Sequence, residues 1–417
     1  MRRLRALAAA GVLLLAAACS AGADEGGTED GDARPAPTTS PASPSASPTS
    51  PSASPTSPSA SPTGSHSAHA AAKPGRQTPL RRGEDRRTLT MQASYTPSAP
   101  TGVGTDDYRC FLLDPELERD SWLTGTNVLP GDPDVVHHVI LFRVPPEKVA
   151  EAEAKDAESA DEGWTCFGGT GLAGEFANVD DAPWLGAWAP GGDEAVTRAG
   201  YGVDLPRGSR IIMQVHYNLL SGAASDVSAT QIRTMPRSTD LTPLHTFLMP
   251  APVELPCRPG RDDGPLCDRT AAVEDAKARF GQGPGSTADI LYFLCGGEPR
   301  ASRTTSCTRR VQQPVTIIGA AGHMHLLGRS LHIEANPGTP EARTVLDIPL
   351  WDFDDQGSRP VGPVGLDAGD TVEITCTHSQ RLRDKLPAFA GQQEKYVVWA
   401  DGTTDEMCLG MLSVAFG

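Results

Sequence analysis

Ile211-Ile212-Met213-Gln214-Val215-His216-Tyr217-Asn218 alternates with a period of two. Ile211, Met213, Val215 and Tyr217 fall on one face of an extended strand, and Gln214, His216 and Asn218 fall on the other. Such a strand packs its odd face inward and sets His216 beside Gln214 on a polar face. Other apolar runs are similar: short, rich in Val and Ile, and broken by Pro and Gly. Candidate strands are 135–144, 210–218, 315–320, 330–334 and 371–377. Two Ala-rich stretches, 146–160 and 271–279, read as helices. Many short strands separated by turns favour an all-β sandwich architecture over a parallel sheet. Polar Arg237-Ser238-Thr239-Asp240 follows a strand-like stretch and marks a boundary between two domains, 105–237 and 238–417.

The N-terminus has a different character. Arg2, Arg3 and Arg5 precede a short apolar run, 6–18, that ends in small residues before Cys19. That run is too short to span a bilayer and reads as a signal peptide, 1–18. Ala17-Ala18-Cys19 resembles a bacterial lipobox, with Ala16 where Leu is usual. It implies lipidation of Cys19, a membrane anchor there and an extracytoplasmic head; plain secretion with another cleavage point is the alternative. Residues 43–63 then repeat SPSASPT three times. Segment 19–104 has too few large apolar side chains to offset its conformational entropy, so the expectation is a disordered Pro/Ser/Thr stalk. His66 and His69 in it read as solvated.

The formal net charge of −16 argues against nucleic acid and anionic lipid surfaces as partners. Beyond Cys19 the chain carries Cys110, Cys166, Cys257, Cys267, Cys295, Cys307, Cys376 and Cys408, with no CxxC pair. An even set in an exported chain suggests up to four disulfides, of unknown pairing.

Several histidines are placed to chelate. On an extended segment His323 and His325 share a face, about 7 Å apart along the backbone, whereas on a helix they diverge. The bland alternative is two exposed or hydrogen-bonded imidazoles. His216 is a ligand only if others reach it. His137 and His138 are adjacent and point to opposite faces of a regular strand, so both meet one ion only if a bulge or strand end re-aims one. Met407, in the turn-rich 401–408, is either a core filler or a soft thioether suited to Cu(I) beside imidazoles.

Taken in order, "DVVHHVILF" (134–142), "IIMQVHYN" (211–218), "GHMHLLGRSL" (322–331) and "TTDEMC" (403–408) resemble the copper type II, ascorbate-dependent monooxygenases. These are the relatives of peptidylglycine α-hydroxylating monooxygenase and dopamine β-monooxygenase. The resemblance runs from about Asp106 to the C-terminus. It implies two jelly-roll-type β-sandwich domains facing across a cleft, each with one copper. His137, His138 and His216 would hold the electron-transfer copper, and His323, His325 and Met407 the copper where oxygen binds and substrate is hydroxylated. Gln214 would support the first site. Cys110 with Cys166, and Cys376 with Cys408, match family disulfides.

The implied activity is hydroxylation of a C–H bond of a small-molecule or peptide substrate, with dioxygen and a reductant such as ascorbate. A copper storage or delivery lipoprotein with the same ligands is the alternative. Ala321 stands where the peptide enzyme has a carboxylate-gripping arginine, and Met411 where it has a substrate-binding tyrosine, so peptide amidation is not expected. Residues 250–307 form an insertion-like stretch relative to the animal enzymes.

Overall fold

The computed structural model describes residues 76–100, 104–159, 163–174, 179–190 and 192–417. The leader, Cys19, the heptad repeats, His66 and His69 lie outside them. Eight main strands come before residue 237. They are β1 (Asp85–Thr90), β2 (Asp106–Leu113), β3 (Ser121–Leu129), β4 (Val136–Val144), β5 (Trp184–Trp188), β6 (Tyr201–Leu205), β7 (Arg210–Asn218) and β8 (Ala229–Pro236). Eight more follow it. They are β9 (His245–Pro250), β10 (Thr304–Arg310), β11 (Val315–His323), β12 (Gly328–Ala335), β13 (Arg343–Ile348), β14 (Arg359–Leu366), β15 (Thr371–His378) and β16 (Leu409–Phe416).

The first eight pair into antiparallel sheets of order β1-β8-β3-β6 and β2-β7-β4-β5. The second eight pair as β9-β16-β11-β14 and β10-β15-β12-β13. Adding eight to every label of the first set yields the second, so the chain winds the same sandwich twice. Eight antiparallel strands in two interleaved sheets of this order make a jelly roll. Each sandwich has its own core, with Leu123, Leu141, Met213 and Ile232 in the first and Ile317, Leu331, Ile374 and Leu412 in the second.

The odd face of β7 does pack inward, placing Ile211, Met213, Val215 and Tyr217 in the first core. Its even face is not solvated, however: Ile212 joins a smaller cluster with Phe142, Trp164 and the Cys110–Cys166 pair, and Gln214 and His216 are buried too.

The expected stalk ends earlier than residue 104. Asp85–Thr90 is an edge strand paired along its length with β8, and Leu89, Met91 and Tyr95 are buried. Charge adds to that burial: buried Arg233 of β8 pairs with Glu84 and, at 3.3 Å, with Glu194, while Arg86 reaches Glu194 at 2.6 Å. A composition average over the Pro/Ser region hides so short a strand.

Helix α1 (Val149–Asp156) lies within 146–160, and α2 (Arg269–Phe280) contains the expected 271–279. Asp268 caps α2 by accepting from Ala271 N at 2.9 Å, and Gly281, at φ +90°, ends it in a conformation that L side chains rarely adopt. A third helix, α3 (Thr287–Cys295), was not expected, because its nine residues are too few and too uniformly apolar to display a period. Four disulfides form: Cys110–Cys166, Cys257–Cys267, Cys295–Cys307 and Cys376–Cys408. They suit an oxidising compartment. Among the described residues no helix is long and apolar enough to cross a membrane.

Candidate metal centre

Strands β4 and β7 are hydrogen-bonded neighbours, and their register sets His138 directly opposite His216. The register slips between Val136 and His138, so a bulge falls at His137. That bulge removes the alternation which would send His137 and His138 to opposite faces. The imidazoles of His137, His138 and His216 converge, each offering a nitrogen within 4.8 Å of the others, and all three are buried at 4%, 8% and 1% exposure. His138 Nδ1 lies 3.1 Å from both His137 Nδ1 and His216 Nδ1. A single Nδ1 either donates one proton or offers one lone pair, so it satisfies only one of these contacts by hydrogen bonding. A shared cation resolves the conflict, since two imidazole nitrogens at ~2.0–2.1 Å from a tetrahedral metal stand about 3.3 Å apart. On its far side His216 Nε2 meets Asp106 Oδ1 at 2.8 Å, which directs Nδ1 toward its neighbours.

In the second sandwich His323 is the last residue of β11, and His325 lies in the turn to β12. The two rings approach edge to face with centroids 5.1 Å apart. His323 Nδ1 contacts Gln356 Oε1 at 2.6 Å, leaving Nε2 as the available ligand atom. Both ring nitrogens of His325 are buried without a protein hydrogen-bond partner, which leaves them to be satisfied by a bound ion, ligand or water. The turn is held by buried Glu406, which accepts from His325 N at 2.9 Å and Leu327 N at 2.5 Å. Met407 follows Glu406, and Cys408 is tied to Cys376 of β15. His378 Nε2 lies 3.2 Å from the Met407 carbonyl oxygen.

His138, His323 and His325 are held neutral. Burial, then the neighbouring imidazoles, pushes His138 well below the usual range. Burial and His325 push His323 down to about 3, against the opposing bond to Gln356. Burial lowers His325 as well, opposed by Glu406. Neutral imidazole is the ligand form.

The two sets meet. The His138 and His323 rings are 5.5 Å apart, and His137 stacks on Phe353 of the second sandwich at 4.3 Å. Tyr108 stacks on His216 at 4.1 Å and donates its hydroxyl to the Asp401 carbonyl at 2.9 Å. Asp106 accepts from Thr403 N at 3.0 Å and from the Thr403 hydroxyl. Beside this junction a cavity of about 830 Å³ is lined by both sandwiches, with His138, His323, Met407 and Gln214 in its wall. Gln214 donates to the carbonyls of Cys166 at 2.8 Å and Gly169 at 2.9 Å, so it fixes the loop beyond the Cys110–Cys166 bridge.

Sequence reasoning missed Asp106, Tyr108, Phe353, Gln356, His378 and Glu406. The first two sit on β2, whose register places Tyr108 opposite His216, and nothing local in the sequence reveals that pairing. Glu406 carried a faint signal, as an acid immediately before a candidate soft ligand.

No protein-family model matches the chain, and no curated protein does. Among solved structures it is similar to the infectious bursal disease virus VP2 subviral particle, at 10% identity and a TM-score of 0.18 over 82% of this chain and 75% of that one. It is also similar to the 7S globulin of Momordica charantia, at 8% identity and a TM-score of 0.14 over 82% and 81%. The coconut allergen cocosin aligns at 10% identity and a TM-score of 0.14 over 79% and 85%. Likenesses this weak carry no argument, and the jelly-roll assignment rests on the strand order itself.

Proposed function

We propose that this protein is an extracytoplasmic copper-dependent monooxygenase, anchored through Cys19, that hydroxylates a C–H bond with dioxygen and a reductant such as ascorbate. The observation that supports this reading is that the His137, His138 and His216 cluster meets His323 across the two sandwiches, with His138, His323 and Met407 in the wall of one large cavity. His137, His138 and His216 would hold one copper, and His323, His325 and Met407 the other. An all-imidazole set tolerates both copper oxidation states, while a thioether beside two imidazoles favours Cu(I). Bound copper supplies the one-electron and dioxygen chemistry. The chain's own residues do the rest. Asp106 orients His216, Glu406 holds the turn that carries His325, the Cys376–Cys408 bridge pins the residue after Met407, and Trp184, Trp188 and Trp399 line the cavity.

A copper storage or delivery protein has no use for a cavity of about 830 Å³ beside its metal, which favours the enzyme. Copper titration of the mature chain should give about two ions, falling to about one in His323→Ala. Copper-loaded protein should then consume oxygen with ascorbate in the presence of a substrate. Two bound coppers with no oxygen uptake across a broad substrate panel would make the carrier the correct reading, and unchanged stoichiometry in the mutant would remove His323 as a ligand.

A further inference from the structure

We infer that the cavity between the sandwiches takes an uncharged, largely apolar substrate, and that helix α3 of the 250–307 insertion is the wall that selects it. This rests on the monooxygenase reading for the word substrate, and on the cavity alone for the ligand's chemistry. Phe142, Trp184 and Trp188 line it from the first sandwich and Met411 from the second. Ile290, Leu291 and Leu294 of α3 close a further side. Among the described residues the lining contains no Lys, Arg or Glu. Apart from any bound copper, a ligand bearing an ammonium or carboxylate would shed its water there without finding a counter-charge among the described Lys, Arg or Glu side chains. Among the described residues Asp401 is the one acidic residue in the lining; burial and then nearby Asp405 push its carboxyl up to about 7, which weakens it as a counter-charge at neutral pH. A volume of about 830 Å³ lies in the range that encloses a drug-sized molecule, ~300–1,000 Å³.

Helix α3 is a fixed wall. The Cys295–Cys307 bridge ties its end to β10, and Arg269 of α2 donates to Asp289 at 2.9 Å while also holding Glu254. Phe293, on the same helix, is 92% exposed and stands outside the lining, which supplies an internal control.

The test uses the copper-loaded full chain and the uncharged fluorophore N-phenyl-1-naphthylamine, displaced by neutral, cationic and anionic naphthalene derivatives. Neutral compounds should compete at least about tenfold better than either charged class. Leu294→Lys should weaken probe binding by about tenfold or more, and Phe293→Lys should leave it unchanged. Copper stoichiometry and a thermal melt report whether each variant is folded. Should Leu294→Lys fail to fold, Leu294→Trp keeps the wall apolar but fills it, and should exclude the probe while retaining copper. Equal competition by a charged class, or full probe binding in a folded Leu294 variant, overturns the inference. Oxygen uptake separates the two readings. Neutral ligands that bind without oxygen consumption support the cavity's chemistry and overturn the enzyme; oxygen consumption driven only by a charged substrate does the reverse.

Discussion

The two sandwiches share a strand order and present their donors in different ways. In the first, all three histidines stand on strands, and the β4–β7 ladder that aligns His138 with His216 is itself part of the sheet. In the second, only His323 is on a strand, at its end, while His325 lies in the turn that follows and Met407 in the irregular segment before β16. Backbone hydrogen bonds of a central ladder set the first geometry. The second depends on one buried carboxylate, Glu406, and one disulfide. The lesson is that one architecture can place one histidine cluster through a main-chain ladder and another through a buried carboxylate and a disulfide, without changing topology.

The contrast predicts different vulnerabilities. The largest effect is expected from pH in the copper-free protein. His138, His323 and His325 have folded pKa values below the unfolded value near 6.5, so the unfolded chain binds more protons at acid pH. The stability they contribute is present above about 6.5 and is lost as pH falls toward about 3, the value for His323, at up to ~1.4 kcal/mol per pH unit for each imidazole. Chemical denaturation across that window should show the loss, and His323→Ala should flatten it; an unchanged slope breaks the assignment.

Next is Glu406→Ala, which strands the amides of His325 and Leu327 in the interior at a cost of roughly 3 kcal/mol. Copper titration of this variant should lose the second ion and keep the first. Loss of both, in a folded protein, would show that the two sets are not independently built. A smaller effect is expected from Asp106→Asn, which leaves His216 without its carboxylate and should weaken the first site by about 10–100-fold. If instead the second site weakens equally, the contacts of Asp106 with Thr403 matter more than its bond to His216. The smallest is Tyr108→Phe, which deletes a hydrogen bond to the Asp401 carbonyl worth about 1 kcal/mol and keeps the stack on His216. Its melting temperature should fall slightly with copper stoichiometry intact.

Much of the fold was legible. Period-two patterning gave β7 to the residue, and short Val/Ile runs located β4, β11, β12 and β15 to within a few positions. Legibility failed where structure is held by something other than a repeating apolar pattern. Strand β1 depends on Arg233 meeting Glu84 and Glu194 from distant parts of the chain. Helix α3 is short and largely apolar, and its place is fixed by Cys295–Cys307, a pairing that spacing cannot reveal.

The candidate site divides along the same line. Local spacing suffices to seat His216 opposite the inward face of its strand, because side-chain direction follows from backbone period, whereas His325 lies beyond the end of β11 and meets His323 through a turn that Glu406 holds. Whether His137 joins His138 hangs on a bulge, which only pairing with β7 reveals. That Asp106 backs His216, that Glu406 holds the His325 turn, and that His138, His323 and Met407 line one largely apolar cavity are outcomes of register and packing between segments far apart in the chain. Periodicity is a property of a strand, whereas a site assembled from two sandwiches exists only once both have folded against each other.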